Sequence, residues 1–334
     1  MADDPITVLG AGSWGTALAI RLATRQDTLL WGHEPDVMAT LASERENSAF
    51  LPDIKFPPRL AIEADLATAV RACRDLLIVV PSHAFRMVIK NIAGLLADDA
   101  RIAWATKGLE QGSGKFMSAV LEEELGTKYP AAVVSGPTFA LEVARGLPTA
   151  LTVASTSPPF ANDMAARLHG DVMRAYTSDD MLGVQLGGTV KNVLAIASGI
   201  TDGLQLGANS RAALITRGLA EIIRLGDAMG ARRETLMGLA GVGDLILTCT
   251  DDLSRNRRLG LALGRGTELK AAVDGIGQVV EGFNTAREVV QLARTYRVDM
   301  PISEQVYRVL HEGLSPQDAV HNLLARDIRS ESVG

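Results

Sequence analysis

The sequence predicts an α/β N-terminal half built on a parallel sheet, followed by an all-helical C-terminal half. Three observations carry this. A strand runs into a glycine-rich turn and a helix at the very start of the chain. Short apolar runs then alternate with helical patterns as far as about residue 178, the signature of a sheet with helices on both faces. After that point strand-like runs disappear and amphipathic helical stretches take over.

The first element is the apolar run of residues 6–9, followed by Gly-Ala-Gly-Ser-Trp-Gly and a helical run over residues 17–22. Gly10, Gly12 and Gly15 occupy the three positions of a G-x-G-x-x-G turn. The first permits the turn, the second lets backbone approach a pyrophosphate, and the third lets the helix pack close to the strand. The helix N-terminus adds N–H groups that suit phosphate. Strand before and helix after make this a dinucleotide site.

Residues 28–31 form the second strand, ending at Gly32-His33-Glu34-Pro35. An acidic residue often binds the ribose hydroxyls of NAD at such a strand end. Here His33 comes first, so it is placed beside the adenosine ribose, and NADP stays open. Residues 47–53 read as a loop and 59–62 as a strand. Asp65 caps a helix over 66–71. The uninterrupted apolar run 76–80 suits a central strand buried on both faces. It stops at Pro81-Ser82, which should lie near the cofactor, and 83–96 reads as helix. Residues 101–106 form a strand that carries Lys107 at its tip. Residues 131–134 form another, ending in Ser135-Gly136-Pro137-Thr138, where Gly136 and Thr138 offer a backbone N–H and a hydroxyl. A helix over 139–144 and a strand over 149–154 follow. We place the boundary near residue 180, giving a dinucleotide-binding domain over 1–180 and a helical domain over 181–334. The helical domain holds helices at 181–202, 211–230, 258–263, 285–295 and 302–310.

Bulk properties exclude several classes. A net charge of −6 gives no general attraction to nucleic acid or to an anionic membrane. The apolar runs are strand-length, so no membrane span is expected. The acidic start of the chain does not fit a signal peptide. Cys73 and Cys249 are the only cysteines, which argues against a disulfide framework and for a reducing compartment. Five histidines without metal-ligand spacing give no zinc site.

Three stretches of the second half carry chemistry. Gly187-Gly188-Thr189-Val190-Lys191-Asn192 sits inside an otherwise apolar helix. The glycines each cost about 1 kcal/mol against alanine, and they allow close approach to the backbone. Burial of Lys191 would draw its pKa from ~10.4 towards ~7–8, which suits acid–base work, unless the side chain snorkels to solvent. Asp244, in Gly241-Val242-Gly243-Asp244-Leu245, is either a helix cap or a site carboxylate; capping is the commoner outcome for that motif alone. Ser254 looks like an N-cap, followed by Arg255, Arg257 and Arg258 in a first turn. Arginines belong at helix C-termini, so this placement suggests a bound phosphate, against a merely solvated basic patch.

Taken together, these motifs resemble the bacterial NAD(P)-dependent glycerol-3-phosphate dehydrogenases. The resemblance rests on GAGSWGTA at 10–17, FLP at 50–52, VVPSH at 79–83, WATKGLE at 104–110, SGPTFA at 135–140, QLGGTVKNV at 185–193, GVGDL at 241–245, LTCT at 247–250 and SRNRR at 254–258. It implies a Rossmann-type doubly wound domain and an all-α domain of the 6-phosphogluconate dehydrogenase-like kind, with the active site between them. It implies dinucleotide contacts, NADH or NADPH, from Ser13, Trp14, His33, Lys107, Ala140, Arg255, Val279 and Glu281. Contacts to dihydroxyacetone phosphate and sn-glycerol 3-phosphate would come from Lys107, Gly136, Thr138, Lys191, Asp244, Ser254, Arg255 and Asn256. Lys191 would be the proton acceptor, with Asp244 orienting it or binding a hydroxyl and Lys107 adding positive potential. The same resemblance implies a cytoplasmic enzyme that supplies glycerophospholipid synthesis, and the apolar helical half suggests a homodimer. Two rivals differ in class: a dehydrogenase of the same architecture acting on a non-phosphorylated 2-hydroxy acid, and a redox-sensing protein that binds NAD(H) without chemistry. The arginine cluster opposes the first, and the buried-helix lysine the second.

Overall fold

A computed structural model describes residues 4–327. They form two compact units. One comprises the residues up to 106 together with 117–181, and the other comprises 107–116 together with the residues from 182 onward.

The first unit holds an eight-stranded sheet in the order β3-β2-β1-β4-β5-β6-β7-β8. Its elements in chain order are β1 (Ile6–Leu9), α1 (Ser13–Ala23), β2 (Thr28–Trp31), α2 (Pro35–Glu44), β3 (Leu60–Glu63), α3 (Leu66–Ala72), β4 (Asp75–Ile78), α4 (Ser82–Ala93), β5 (Arg101–Trp104), α5 (Met117–Leu125), β6 (Ala131–Ser135), α6 (Ala140–Ala144), β7 (Thr149–Ser155), α7 (Pro158–Leu168) and β8 (Met173–Ser178). Strand order reverses between β1 and β4, the switch point where doubly wound sheets bind ligands. Both strands are buried along their whole length, apolar except for Thr7, which donates to Ala69 O at 2.9 Å, and Asp75, which is paired with Arg101 and Arg167. The Asp65 cap is present, its side chain accepting from Thr68 N at 2.8 Å.

Three expectations need correction. The strand expected over 76–80 ends at Ile78, although Val79 N still donates to Leu9 O at 2.8 Å. The sheet is not wholly parallel, because β7 pairs with β6 antiparallel, Val133 opposite Ala154. The intervening α6 has five residues, about 7.5 Å of helix at 1.5 Å each, too short to carry the chain back along β6. Strand β7 therefore starts where β6 ends. The third correction is β8, whose Met-Arg-Ala-Tyr-Thr-Ser alternates too weakly to stand out; it pairs with β7 at the sheet edge. Helices α5 and α7 were likewise not expected.

The second unit contains α8 (Met181–Gly203), α9 (Gly207–Met229), α10 (Arg233–Leu236), a π-helical turn (Leu239–Gly243), α11 (Asp244–Thr250), α12 (Arg255–Gly264), α13 (Leu269–Asp274), α14 (Glu281–Tyr296), α15 (Pro301–His311) and α16 (Pro316–Leu324). Helix α8 is buried on all sides from Gly183 to Thr201, which makes it the axis of this unit. It meets α12 along a seam of glycines. A Cβ on Gly199 or Gly203 would strike the backbone of Arg257 or Leu261, and a Cβ on Gly260 or Gly264 would strike that of Ile196 or Ile200. Four-residue spacing on both helices brings the two backbones into direct contact. A single division near residue 180 does not account for residues 107–116. Leu109 and Phe116 from this segment are buried in the helical core and pair across a β-bridge, which ties the segment to the second unit.

Candidate functional site

In the first unit, the turn after β1 has the shape its glycines require. Gly10 sits at φ +127°, where a side chain is strained and a Cβ would strike the Val79 carbonyl. A Cβ on Gly15 would strike the Gly10 carbonyl, whereas around Gly12 there is open space. Gly12 is the N-cap of α1 and offers no side chain to its first N–H groups, which leaves them for an anion. Asn47 Nδ2 braces the turn, donating to Ala11 O and to Thr16 Oγ1 at 2.9 Å each. Close packing at Gly10 and Gly15 with an open approach at Gly12 fits a dinucleotide pyrophosphate. Ser13 and Trp14 open α1 half-buried, and Trp14 Nε1 is buried with no acceptor among the described residues. His33 is exposed just past β2, its Nε2 3.2 Å from Glu34 Oε1. Ala140 begins α6. Gly136 is tightly packed, its Cβ position 2.7 Å from Leu151 Cα, and Thr138 Oγ1 donates to Gly136 O at 3.3 Å.

The second unit gathers Lys191, Asp244 and Lys107. Lys191 lies mid-way along α8 and is 6% exposed, while Asp244 opens α11 and is wholly buried. Lys191 Nζ donates to Asp244 Oδ1 at 2.6 Å and to Thr248 Oγ1 at 2.8 Å. Lys107 Nζ donates to Asp244 Oδ2 at 2.7 Å. Asp244 is therefore an ion-pairing carboxylate and not a side-chain cap, one oxygen facing each lysine. Thr248 stands one turn after Asp244 and donates in turn to Asp244 O at 2.6 Å, which fixes its lone pairs toward Lys191. Burial lowers the Lys191 pKa to about 8, with Asp244 opposing the shift and Lys107 adding to it. An ammonium has three N–H donors, and two of those on Lys191 are used within the described residues. The third can meet an oxygen of a ligand. The paired glycines before Lys191 admit protein, since the Cβ position of Gly187 runs into Ala240 and Gly241.

At the start of α12, Ser254 accepts from Arg257 N at 3.2 Å, as an N-cap should. The arginines that follow divide. Arg257 is buried and bound to Asp202 at 2.5 Å and to Asp252 at 2.9 Å, so carboxylates answer its charge and no anion is needed there. Arg258 is exposed. Arg255 is half-buried, 3.5 Å from Gln278 Oε1, and burial lowers its pKa while Glu281 opposes that. Asn256 donates to Asn192 Oδ1 at 3.0 Å and accepts from Gly282 N at 2.9 Å, which ties α8, α12 and α14 together. Val279 is exposed just before α14, and Glu281 is the first residue of that helix.

Sequence reasoning assigned no role to four participants. Thr248 was findable, because it lies one helical turn from Asp244. Asn192 adjoins Lys191. Asn47 and Glu288 gave no local sign. Glu288, 5% exposed on α14, accepts from Gly112 N at 3.0 Å and so pins the loop that begins at Lys107.

Comparison with known proteins decides the family. Residues 5–161 match the NAD-dependent glycerol-3-phosphate dehydrogenase N-terminus, and residues 180–321 match its C-terminus. The chain belongs to the NAD-dependent glycerol-3-phosphate dehydrogenase family. Within that family it is 60% identical over 333 residues to the glycerol-3-phosphate dehydrogenase [NAD(P)+] of Thioalkalivibrio sulfidiphilus, covering 99% of this chain and 100% of the other. It is 56% identical over 330 residues to that of Shewanella frigidimarina, covering 98% of each. Among solved structures, a glycerol-3-phosphate dehydrogenase from Coxiella burnetii superposes with a TM-score of 0.94 at 50% identity, covering 98% of this chain and 100% of that one. The family read from the motifs is borne out, as is a Rossmann-type domain followed by a helical one. Among the described residues, no helix is long and apolar enough to cross a membrane.

Proposed function

We propose that this chain catalyses the reversible reduction of dihydroxyacetone phosphate to sn-glycerol 3-phosphate with NADH or NADPH. The observation that carries this reading is the buried Lys191 amine, with two N–H groups committed and one left for a substrate oxygen. When bound, the nicotinamide supplies the hydride. In the reduction, the Lys191 ammonium hydrogen-bonds the C2 carbonyl oxygen and gives it a proton as negative charge develops. Two lysines facing one carboxylate leave a net positive potential at that oxygen, which favours the developing alkoxide. In the oxidation, neutral Lys191 takes the C2 hydroxyl proton. A pKa of about 8 suits both directions.

The substrate phosphate is assigned to the α12 N-terminus, held by Arg255 and the Ser254 hydroxyl, with Asn256 orienting that end. Gly136 and Thr138 are proposed as further substrate contacts. Gly10, Gly12, Ser13, Trp14, Gly15, His33, Ala140, Val279 and Glu281 are proposed for the dinucleotide, together with Lys107 and Arg255. A homodimer in the cytoplasm serving glycerophospholipid synthesis completes the reading; Cys73 and Cys249, both unbridged, suit a reducing compartment. The test is direct: add dihydroxyacetone phosphate to the protein with NADH and follow the NADH absorbance. Oxidation with dihydroxyacetone phosphate and none with dihydroxyacetone is expected. No oxidation with either cofactor would refute the proposal.

A further inference from the structure

A second concave surface lies in the first unit, at the far end of α1 from the Gly10–Gly15 turn. It is a cavity of about 670 Å³ lined by Arg21, Arg25, Arg167, His169 and Arg174, with Asp171 as the one carboxylate among its lining residues. Helix α1 has 11 residues, so about 16 Å of helix separates the cavity from the fingerprint turn. Ligands of doubly wound sheets bind beyond the C-terminal ends of the strands. This cavity sits where β8 begins and where α1 and α7 end, so it is distinct from the dinucleotide crevice.

Its charge is not balanced by the protein. Some arginines elsewhere on the surface carry carboxylate partners, such as Arg59 with Asp27 and Arg233 with Asp227, and others, such as Arg258 and Arg265, stand singly among the described residues; here three without a carboxylate partner line one concave surface. In the cavity only Arg167 is neutralised, by Asp75 at 2.7 Å, and Gln26 Oε1 holds it at 2.8 Å. Arg21, Arg25 and Arg174 make no ion pair among the described residues. The C-terminal dipoles of α1 and α7 account for the arginines in their last turns, Arg21 and Arg167. They do not account for Arg174, which lies on a strand, or for Arg25, which lies beyond the helix. Both point toward the cavity lining. Arg174 Nη1 is 3.0 Å from His169 Nε2, and Arg25 Nη1 lies 3.5 Å from the Cβ position of Gly170, over a residue with no side chain.

We propose that this cavity binds a small dianionic phosphate ligand, a phosphorylated metabolite in its free form. Arg21, Arg25 and Arg174 outnumber the one carboxylate, Asp171, so the lining keeps a net positive charge that attracts a phosphate anion. Guanidinium forks suit its oxygens. The volume falls within the ~300–1,000 Å³ of small-molecule sites, and a concave pocket favours a free anion over a flat membrane surface.

The test titrates inorganic phosphate into the NADH-bound protein by calorimetry at fixed ionic strength. The proteins compared are wild type, the double variant Arg25→Gln/Arg174→Gln, and Arg255→Ala. The double variant should lose one class of site by about tenfold or more in Kd, with its steady-state constants for dihydroxyacetone phosphate and NADH unchanged. Arg255→Ala should keep that same class. An isotherm for the double variant that matches wild type would overturn the proposal. Should the double variant unfold, Arg25→Gln alone replaces it; Arg25 is exposed, and a weakening of about threefold is expected, with no change counting against the site. A sedimentation arm uses anionic phospholipid vesicles. Loss of vesicle binding in the variant with phosphate binding intact would overturn the free-metabolite reading in favour of a membrane surface.

Discussion

The pH profile of the reduction tests the chemistry assigned to Lys191 most directly. On the proposed mechanism the reduction needs the Lys191 ammonium, whose pKa burial has lowered to about 8. At saturating substrate, turnover should be flat below that value and fall about tenfold per pH unit above it. An ordinary lysine, with a pKa of ~10.4, would hold the rate flat for two further units. The oxidation should rise through the same inflection. Stability provides an independent readout. Between about 8 and 10.5 the unfolded chain holds more protons than the folded one, so folding stability should rise with pH across that window. The 2.5-unit difference corresponds to at most about 3 kcal/mol. Lys191→Met should abolish both the kinetic inflection and this rise. Initial rates from NADH absorbance in a constant-ionic-strength buffer series, with urea melts at each pH, supply both measurements. A reduction rate that stays flat to about pH 10 would refute the assignment.

Four other outcomes are expected. Lys191→Ala should cut kcat by about 10²–10⁴ and leave the NADH dissociation constant, read by fluorescence, largely unchanged. Arg255→Ala should raise KM for dihydroxyacetone phosphate by roughly ten- to a hundredfold, the worth of a charge-assisted bond; an unchanged KM would remove the phosphate from α12. Glu288→Ala should free the loop at Gly112 and lower kcat about tenfold, with Glu288→Gln recovering most of it because an amide oxygen still accepts from Gly112 N; equal losses in both would disprove a positioning role. Gly260→Ala sets a Cβ against the Ile196 carbonyl and should cost about 1–3 kcal/mol in urea melts while raising KM for dihydroxyacetone phosphate.

What the sequence revealed depended on how local each requirement was. The Gly10–Gly15 turn was legible because its requirements are close at hand: Gly10 and Gly15 answer clashes within the turn or with the adjacent strand, and Gly12 leaves the approach open. Ser254 was legible as a cap because its acceptor role involves Arg257, three residues on. Lys191 was legible because an apolar helix around a lysine implies burial. Asp244 was half-legible: its position fits a cap, and only the tertiary approach of two lysines makes it their shared carboxylate. Arg257 misled for the same reason, since the carboxylate of Asp202 that neutralises it lies 55 residues away. The reversal at β7 was hidden in the shortness of α6, and the allegiance of residues 107–116 in where Leu109 and Phe116 are buried.

The glycine seam between α8 and α12 has a consequence for selectivity. The helix that carries Lys191, the proposed proton-transfer amine, and the helix proposed to hold the phosphate touch backbone to backbone, with no side chain between them at Gly199, Gly203, Gly260 and Gly264. Their spacing therefore does not vary with rotamers. It works as a fixed caliper, set by main-chain contact, for the distance between a reacting carbon and a phosphoryl group. Such a caliper cannot be adjusted in small steps, because the smallest change available, one methyl group, forces the helices apart. A chain that needed to accept a longer phosphorylated ketone would have to rebuild this crossing, and enlarging the pocket around it would not suffice.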